Sequence, residues 1–216
     1  MPLARPGVTL SFALEQGLGW TSSQARRRVN LVGYALACLL LGALVARLAG
    51  LWRGASTARQ HAWLGASALV FAAHPVHASV VMSAAYRPEI MSLVFILAAS
   101  HLWLSVIEGR GPKGLVSVAG AACFGLALLC KESALCALAP WFVAAWLRPG
   151  GLGRSAGLAA GCLALALGLL LWRHVALGGV IVAQIPWADN PLTLADGATR
   201  FMAALEQLWL AGTHAL

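Results

Sequence analysis

Apolar residues run through this chain in long blocks separated by short polar stretches, and blocks of roughly 17–23 residues recur. A helical run of that length, rising ~1.5 Å per residue, covers the ~30 Å hydrocarbon of a bilayer. The pattern predicts membrane spans at about 31–51, 61–73, 90–107, 114–130, 133–147 and 155–172, with a seventh beginning near Ala203. The 34 residues from Gly114 to Leu147 are interrupted only by Lys131 and Glu132. One helix of that length would run ~51 Å, more than tilting absorbs, so the chain is expected to reverse at "KES". The stretch "ARPGVTLSFALEQGLGWTSSQARRRVN" is too polar to span. Its Leu10, Phe12, Leu14 and Leu18, with Trp20 behind, predict a short amphipathic segment along the membrane interface, with Arg26–Arg28 near lipid headgroups.

Composition agrees. Of 216 residues 60% are hydrophobic and 10% charged, and the mean hydropathy is +0.80. No single water-soluble core hides that much apolar surface. The expected fold class is all-α, a multi-pass transmembrane helical bundle of about six spans plus a partial seventh. The expected organisation is an extracytoplasmic interfacial segment over 1–29, a transmembrane helical domain over 30–172, an extracytoplasmic loop over 173–202 and the start of a truncated span over 203–216. Nothing at the start reads as a cleavable signal peptide. Cys38, Cys123, Cys130, Cys136 and Cys162 lie in or beside apolar runs without a CxxC spacing, which reads as small apolar residues rather than a disulfide framework.

A formal charge of +8 raises nucleic acid as a partner, but no basic stripe interleaved with aromatics supports it. Membrane topology accounts for most arginines. Arg47, Arg53 and Arg59 share one loop region, Arg110 and Lys113 the next alternate one, and Arg148 and Arg154 the one after. The positive-inside rule places those loops in the cytoplasm. Residues 74–89, 131–132 and 173–202 then emerge on the extracytoplasmic face, and the polar residues of interest share that side.

Pro88 suits the first turn of the span that follows and pushes Arg87 out of the α region, so the guanidinium is expected to point into the loop as a fork for phosphate or carboxylate. Glu89 sits near the positive end of that helix. His74 and His77 bracket Pro75 in a spacing that matches no standard ligand motif, so they read as hydrogen-bonding walls of a polar pocket. No cofactor is expected, and a divalent metal has no support from spacing. Lys131 and Glu132 lie near membrane depth, where charges face a partner or a watery cavity. Arg173 and His174 end the sixth span, and "PWADNPLTLADGATR" follows with Asp189, Asn190, Asp196 and Arg200. Any one of Arg87, Lys131, Arg173 and Arg200 is explained as an interfacial anchor. Four cations on the side that the positive-inside rule disfavours instead suggest an anionic ligand, in a membrane most simply a lipid phosphate.

Five blocks then align in order with a known pattern: "RPGVTLSFALEQGLGWTSSQARRRVNLVGYALACLLL", "VFAAHPVHASVVMSAAYRPEIMSLVFILAA", "LALLCKESALCALAP", "LLLWRHVALGG" and "ADNPL…TRFMAAL". From about Arg5 to Glu206 the chain resembles the membrane half of the transmembrane and tetratricopeptide repeat (TMTC) family, itself similar to the protein O-mannosyltransferases of the GT-C glycosyltransferase fold. The resemblance implies transfer of a sugar, expected to be mannose, from a polyprenyl-phosphate donor to a protein hydroxyl on the extracytoplasmic side. The membrane would be the cell inner membrane or that of the endoplasmic reticulum. On this likeness His74, His77, Arg87, Glu89, Lys131, Glu132, Arg173, Asp189 and Asn190 bind substrate, with Arg87, Lys131 and Arg173 on the donor phosphate.

Family members carry an acidic extracytoplasmic loop before the RP block that supplies the proton acceptor. Here only four residues precede Arg5, and "AGTHAL" departs from the block expected at the other end. The catalytic residue is therefore unassigned, and the chain is expected to be a fragment, to have a misplaced start or to be an inactive, decayed product. Two other readings stand beside this one. The first is a lipid-carrier transporter with an outward anion pocket. The second is a non-catalytic scaffold that holds partners through the face of Gly153, Gly157 and Gly161.

Overall fold

The computed structural model describes residues 5–53, 56–75 and 77–177, with isolated positions between 196 and 206. Every described element is helical: α1 (Pro6–Gly17), α2 (Ser23–Arg53), α3 (Thr57–Ala73), α4 (His77–Met82), α5 (Arg87–Glu108), α6 (Lys113–Cys130), α7 (Leu138–Trp146) and α8 (Gly151–Leu177). Short 3-10 turns at Ala84–Tyr86 and Glu132–Ala137 lead into α5 and α7. Among the described residues four stretches are long and apolar enough to cross a membrane: Ser23–Leu51, Ala84–Glu108, Lys113–Cys130 and Gly151–Trp172. The 17-residue α3 and the stretch Glu132–Trp146 are shorter. All six apolar runs are thus helical, and four have the length of a membrane span.

Local signals set the boundaries. The Ser22 hydroxyl accepts the N–H of Ala25 (3.1 Å) and starts α2 eight residues before its apolar run. Gly109 ends α5 at φ 73°, a left-handed turn that only glycine adopts freely, and lets the N–H of Arg110 return to the Ser105 carbonyl (2.8 Å).

The chain does reverse at "KES". Lys131 is extended (φ −157°, ψ 130°), the 3-10 turn follows, and α7 comes back alongside α5 and α6. Trp141 stacks on Trp103 of α5 with ring centroids 5.0 Å apart, lies 5.5 Å from Phe124 of α6 and donates its indole N–H to the Ser100 hydroxyl (2.8 Å). A continuous helix would have carried Trp141 ~16 Å beyond Cys130. These aromatics, with Ile107, Ala127, Leu158 and Cys162, form the main core.

Two sequence expectations for residues 74–89 are corrected. The segment is mostly helical rather than a loop, because α4 and the 3-10 turn satisfy its backbone locally. Arg87 is in the right-handed α region (φ −53°, ψ −38°) and buried, not extended and pointing outward. The groups that hold its guanidinium outweigh the local preference of a residue before proline.

After the charge asymmetry of the loops, we call the end holding Ala73, Arg87 and Cys130 outer and the end holding Glu108 and Lys113 inner. At the inner end Arg47 donates to both oxygens of Glu108 (3.1 Å each), to the His101 carbonyl (2.7 Å) and to the Ser105 hydroxyl (2.9 Å). Arg110 meets the same carboxylate at 2.8 Å, and Arg154 of α8 donates to the Ile107 carbonyl (3.0 Å).

Met1–Leu169 form one compact unit and Leu170–Leu216 a second. Of the second unit the structure describes the last turns of α8, which runs five residues past its expected end, and a few positions where Asp196 accepts the N–H of Thr199 (2.9 Å). Most of the expected seventh span lies outside the described residues.

Candidate functional site

Helix α1 crosses the outer end of the bundle. Near its start Gly7 packs directly on Cys130 and the Leu129 backbone at the end of α6, where a Cβ would lie 2.9 Å from the Cys130 sulfur. Further along the helix, Glu15 reaches Arg87 at the start of α5. Counting 100° per residue, Val8, Phe12 and Glu15 share the bundle face, while Leu10, Leu14 and Leu18 form an exposed flank.

Arg87 is the largest fully buried side chain among the described residues, 1% exposed. Its Nη1 donates to Glu15, its Nε to the Asn30 side-chain oxygen (3.0 Å) and its Nη2 to the Arg26 carbonyl (3.0 Å), while the Phe12 ring lies 4.4 Å beneath the guanidinium. Asn30 in turn donates to the Ser83 carbonyl (3.0 Å). One arginine thereby ties α1, α2 and the entry to α5. The second Glu15 oxygen is buried without a partner.

Glu89 is two residues on, about 200° round the helix, and faces a different neighbour. Lys131 Nζ donates to its Oε1 at 2.6 Å, and both side chains are about one-third open, 28% and 34% exposed. Glu132 turns away from its sequence neighbour towards Arg5 (3.9 Å). Thus Arg87, Glu89, Lys131 and Glu132 come together round the first turn of α5, each cation matched by a carboxylate.

His74 caps α3 and His77 opens α4 beside it, their rings 5.6 Å apart. The Tyr34 hydroxyl reaches the Phe71 carbonyl and His77 Nδ1 (2.9 Å each), so the histidine is tied to the carbonyl end of α3. The two histidines, Phe71, Leu41, Ser67 and Val70 line an open pocket of about 380 Å³. No cluster of three or more metal-ligating side chains occurs among the described residues. Arg173 falls on the last turns of α8, in the second unit, and its side chain is outside the described residues, as are Asp189 and Asn190 altogether.

Glu15, Asn30 and Tyr34 escape the sequence reading. Glu15 had a signal: it is the only acid among the first 88 residues, and the segment around it is otherwise basic. An acid so placed needs a cation. Glu108 had one too, since His101, Ser105 and Glu108 repeat every three or four residues on an apolar helix and mark the face that meets Arg47.

No family model matches the chain, and neither a curated protein nor a solved structure does.

Proposed function

We propose that this chain is a GT-C-like glycosyltransferase domain of about six spans plus a partial seventh. It transfers a sugar, mannose by the sequence resemblance, from a polyprenyl-phosphate donor to a protein hydroxyl on the extracytoplasmic side. The observation that carries the reading is the Lys131–Glu89 pair, partly open at the outer end of an apolar helical bundle and assembled from two sequence blocks 42 residues apart. The donor phosphate is a diester, singly charged like a carboxylate, and competes with Glu89 for the ammonium; the polyprenyl phosphate that leaves gains a second negative charge. As the glycosidic bond breaks, charge gathers on the departing phosphate, where Lys131 stabilises it. Arg5, 42% exposed, is the neighbouring cation open to the same group. Arg87, enclosed by protein, positions the start of α5 instead of touching the donor. Every carboxylate between residues 5 and 177 is paired with a cation. The acceptor proton therefore passes to Glu89 or Glu132 once the phosphate has displaced it.

That complete pairing also favours a second reading, a non-catalytic scaffold whose charges only fasten helices. Reconstitution separates the two. Vesicles containing the protein, a polyprenyl-phosphate mannose and a serine- and threonine-rich peptide are assayed for glycosylated peptide. Transfer that falls roughly a hundredfold or more in Lys131→Met, with insertion preserved, is the expected result. Transfer indifferent to Lys131 removes the basis of the reading, and absence of transfer with the donor present leaves the scaffold.

A further inference from the structure

The three outer pairs neutralise one another, so the surplus positive charge of that end lies elsewhere. It sits in Arg26, Arg27 and Arg28, in the first two turns of α2, all exposed. Neither Arg27 nor Arg28 has an ion pair among the described residues. Three arginines at this end of a span run against the positive-inside rule and call for a compensating anion.

The apolar surface beside them has a defined shape. Ala25, Arg28, Val29 and Val32 follow the i, i+3, i+4, i+7 spacing of a single helix face, and with Trp20 they line a cleft of about 580 Å³. Below the cleft the face continues as Val32, Leu36 and Leu39, exposed by 69%, 45% and 60%, on a helix of membrane-spanning length. From Arg28 to Leu39 is ~16 Å along the axis, close to the ~15 Å half-thickness of the hydrocarbon. A cation at the top, an indole at the boundary and an apolar strip one acyl chain long have the proportions of a phospholipid.

We propose that this face of α2 binds an anionic phospholipid, with the phosphate on Arg28, the glycerol region against Trp20 and an acyl chain along Val32, Leu36 and Leu39; Arg27 lies on the far side of the helix. The site is separate from the Lys131–Glu89 pair and does not rest on sugar transfer.

The test uses the protein in phosphatidylcholine vesicles carrying a trace of diazirine-bearing phosphatidylglycerol, irradiated and mapped by mass spectrometry of its peptides. Label concentrates in residues 21–39 and is competed by phosphatidylglycerol but not by added phosphatidylcholine. R28Q lowers it roughly fivefold, R28K keeps most of it, and R27Q, on the far side of the helix, leaves it unchanged. Both arginines are exposed, so folding is preserved. Label spread evenly over the apolar faces of α2, α6 and α8, or label indifferent to R28Q, or lowered as much by R27Q, overturns the proposal. Competition by a polyprenyl phosphate and not by phosphatidylglycerol also overturns it, assigning the cleft to the carrier lipid.

Discussion

Replacing Arg87 by alanine strips the outer end of its central tie. Glu15 is left as a buried carboxylate without a cation, and the Asn30 side-chain oxygen and the Arg26 carbonyl both lose their donor. Removing one partner of a buried ion pair costs about 3–5 kcal/mol. Each of these bonds joins α1 or the start of α2 to α5, so the cost is expected to fall on the docking of α1 rather than on the core round Trp103 and Trp141. The undocked population then rises roughly a hundredfold to a few thousandfold. Gly7 lies against Cys130, which is 1% exposed, so that thiol reports the docking directly.

The assay is maleimide labelling of Cys130 in detergent or vesicles, in a background where exposed Cys136 is serine. Arg87→Ala accelerates labelling by that factor. Gly7→Ala does so through sterics alone, since its Cβ would meet the Cys130 sulfur at 2.9 Å and the Leu129 carbonyl oxygen at 3.3 Å. The pair R87M/E15L, which removes both charges and fills their space with apolar groups, labels more slowly than either single substitution, because no uncompensated charge stays behind. Labelling unchanged in Arg87→Ala, or costs in R87M/E15L that simply add, would refute the assignment of Arg87 as the tie.

At the inner end Glu108→Gln lowers thermal stability by about 2–3 kcal/mol, because Arg47 and Arg110 share its carboxylate, which is 4% exposed. Arg47→Lys does not spare the loss, since one ammonium cannot replace a fork that bonds two carboxylate oxygens, a carbonyl and a hydroxyl; melting followed by size-exclusion chromatography reads both. At the outer end Glu89→Gln removes the competitor for Lys131. A polyprenyl phosphate then binds up to about fivefold tighter, the limit set by a solvent-screened pair, while transfer falls. Weaker binding in titration calorimetry would contradict the displacement step.

The helical skeleton was legible because its signals are local. Apolar run lengths, Ser22 ahead of α2 and the two charges inside 34 apolar residues each imply a helix or a reversal from a few neighbouring residues. The meeting of the blocks that hold Glu89 and Lys131 was legible too, since both loops were expected on one side; the Arg173 side chain, Asp189 and Asn190 lie outside the described residues. What escaped is which charge meets which. Glu15 and Arg87 are 72 residues apart, and the distance between them depends on α1 lying across the bundle, where one bare glycine meets Cys130. The expectation for Arg87 failed for the same reason: the rule for a residue before proline weighs only the adjacent backbone, whereas four groups from α1 and α2 act on the side chain.

Four acids serve the 173 residues from Arg5 to Leu177, and each sits where elements distant in sequence meet: α1 with α5, α5 with the end of α6, α2 with α5, and the "KES" turn with the segment before α1. A chain this apolar gains little specificity from one greasy face against another, because lipid packs on either about as well. Ion pairs in a poorly solvated setting supply the registry that apolar packing does not, since a wrong pairing leaves a charge stranded. The pair of Lys131 and Glu89 is partly open. An anion that takes Lys131 competes with Glu89 for the ion pair that joins the "KES" turn to α5.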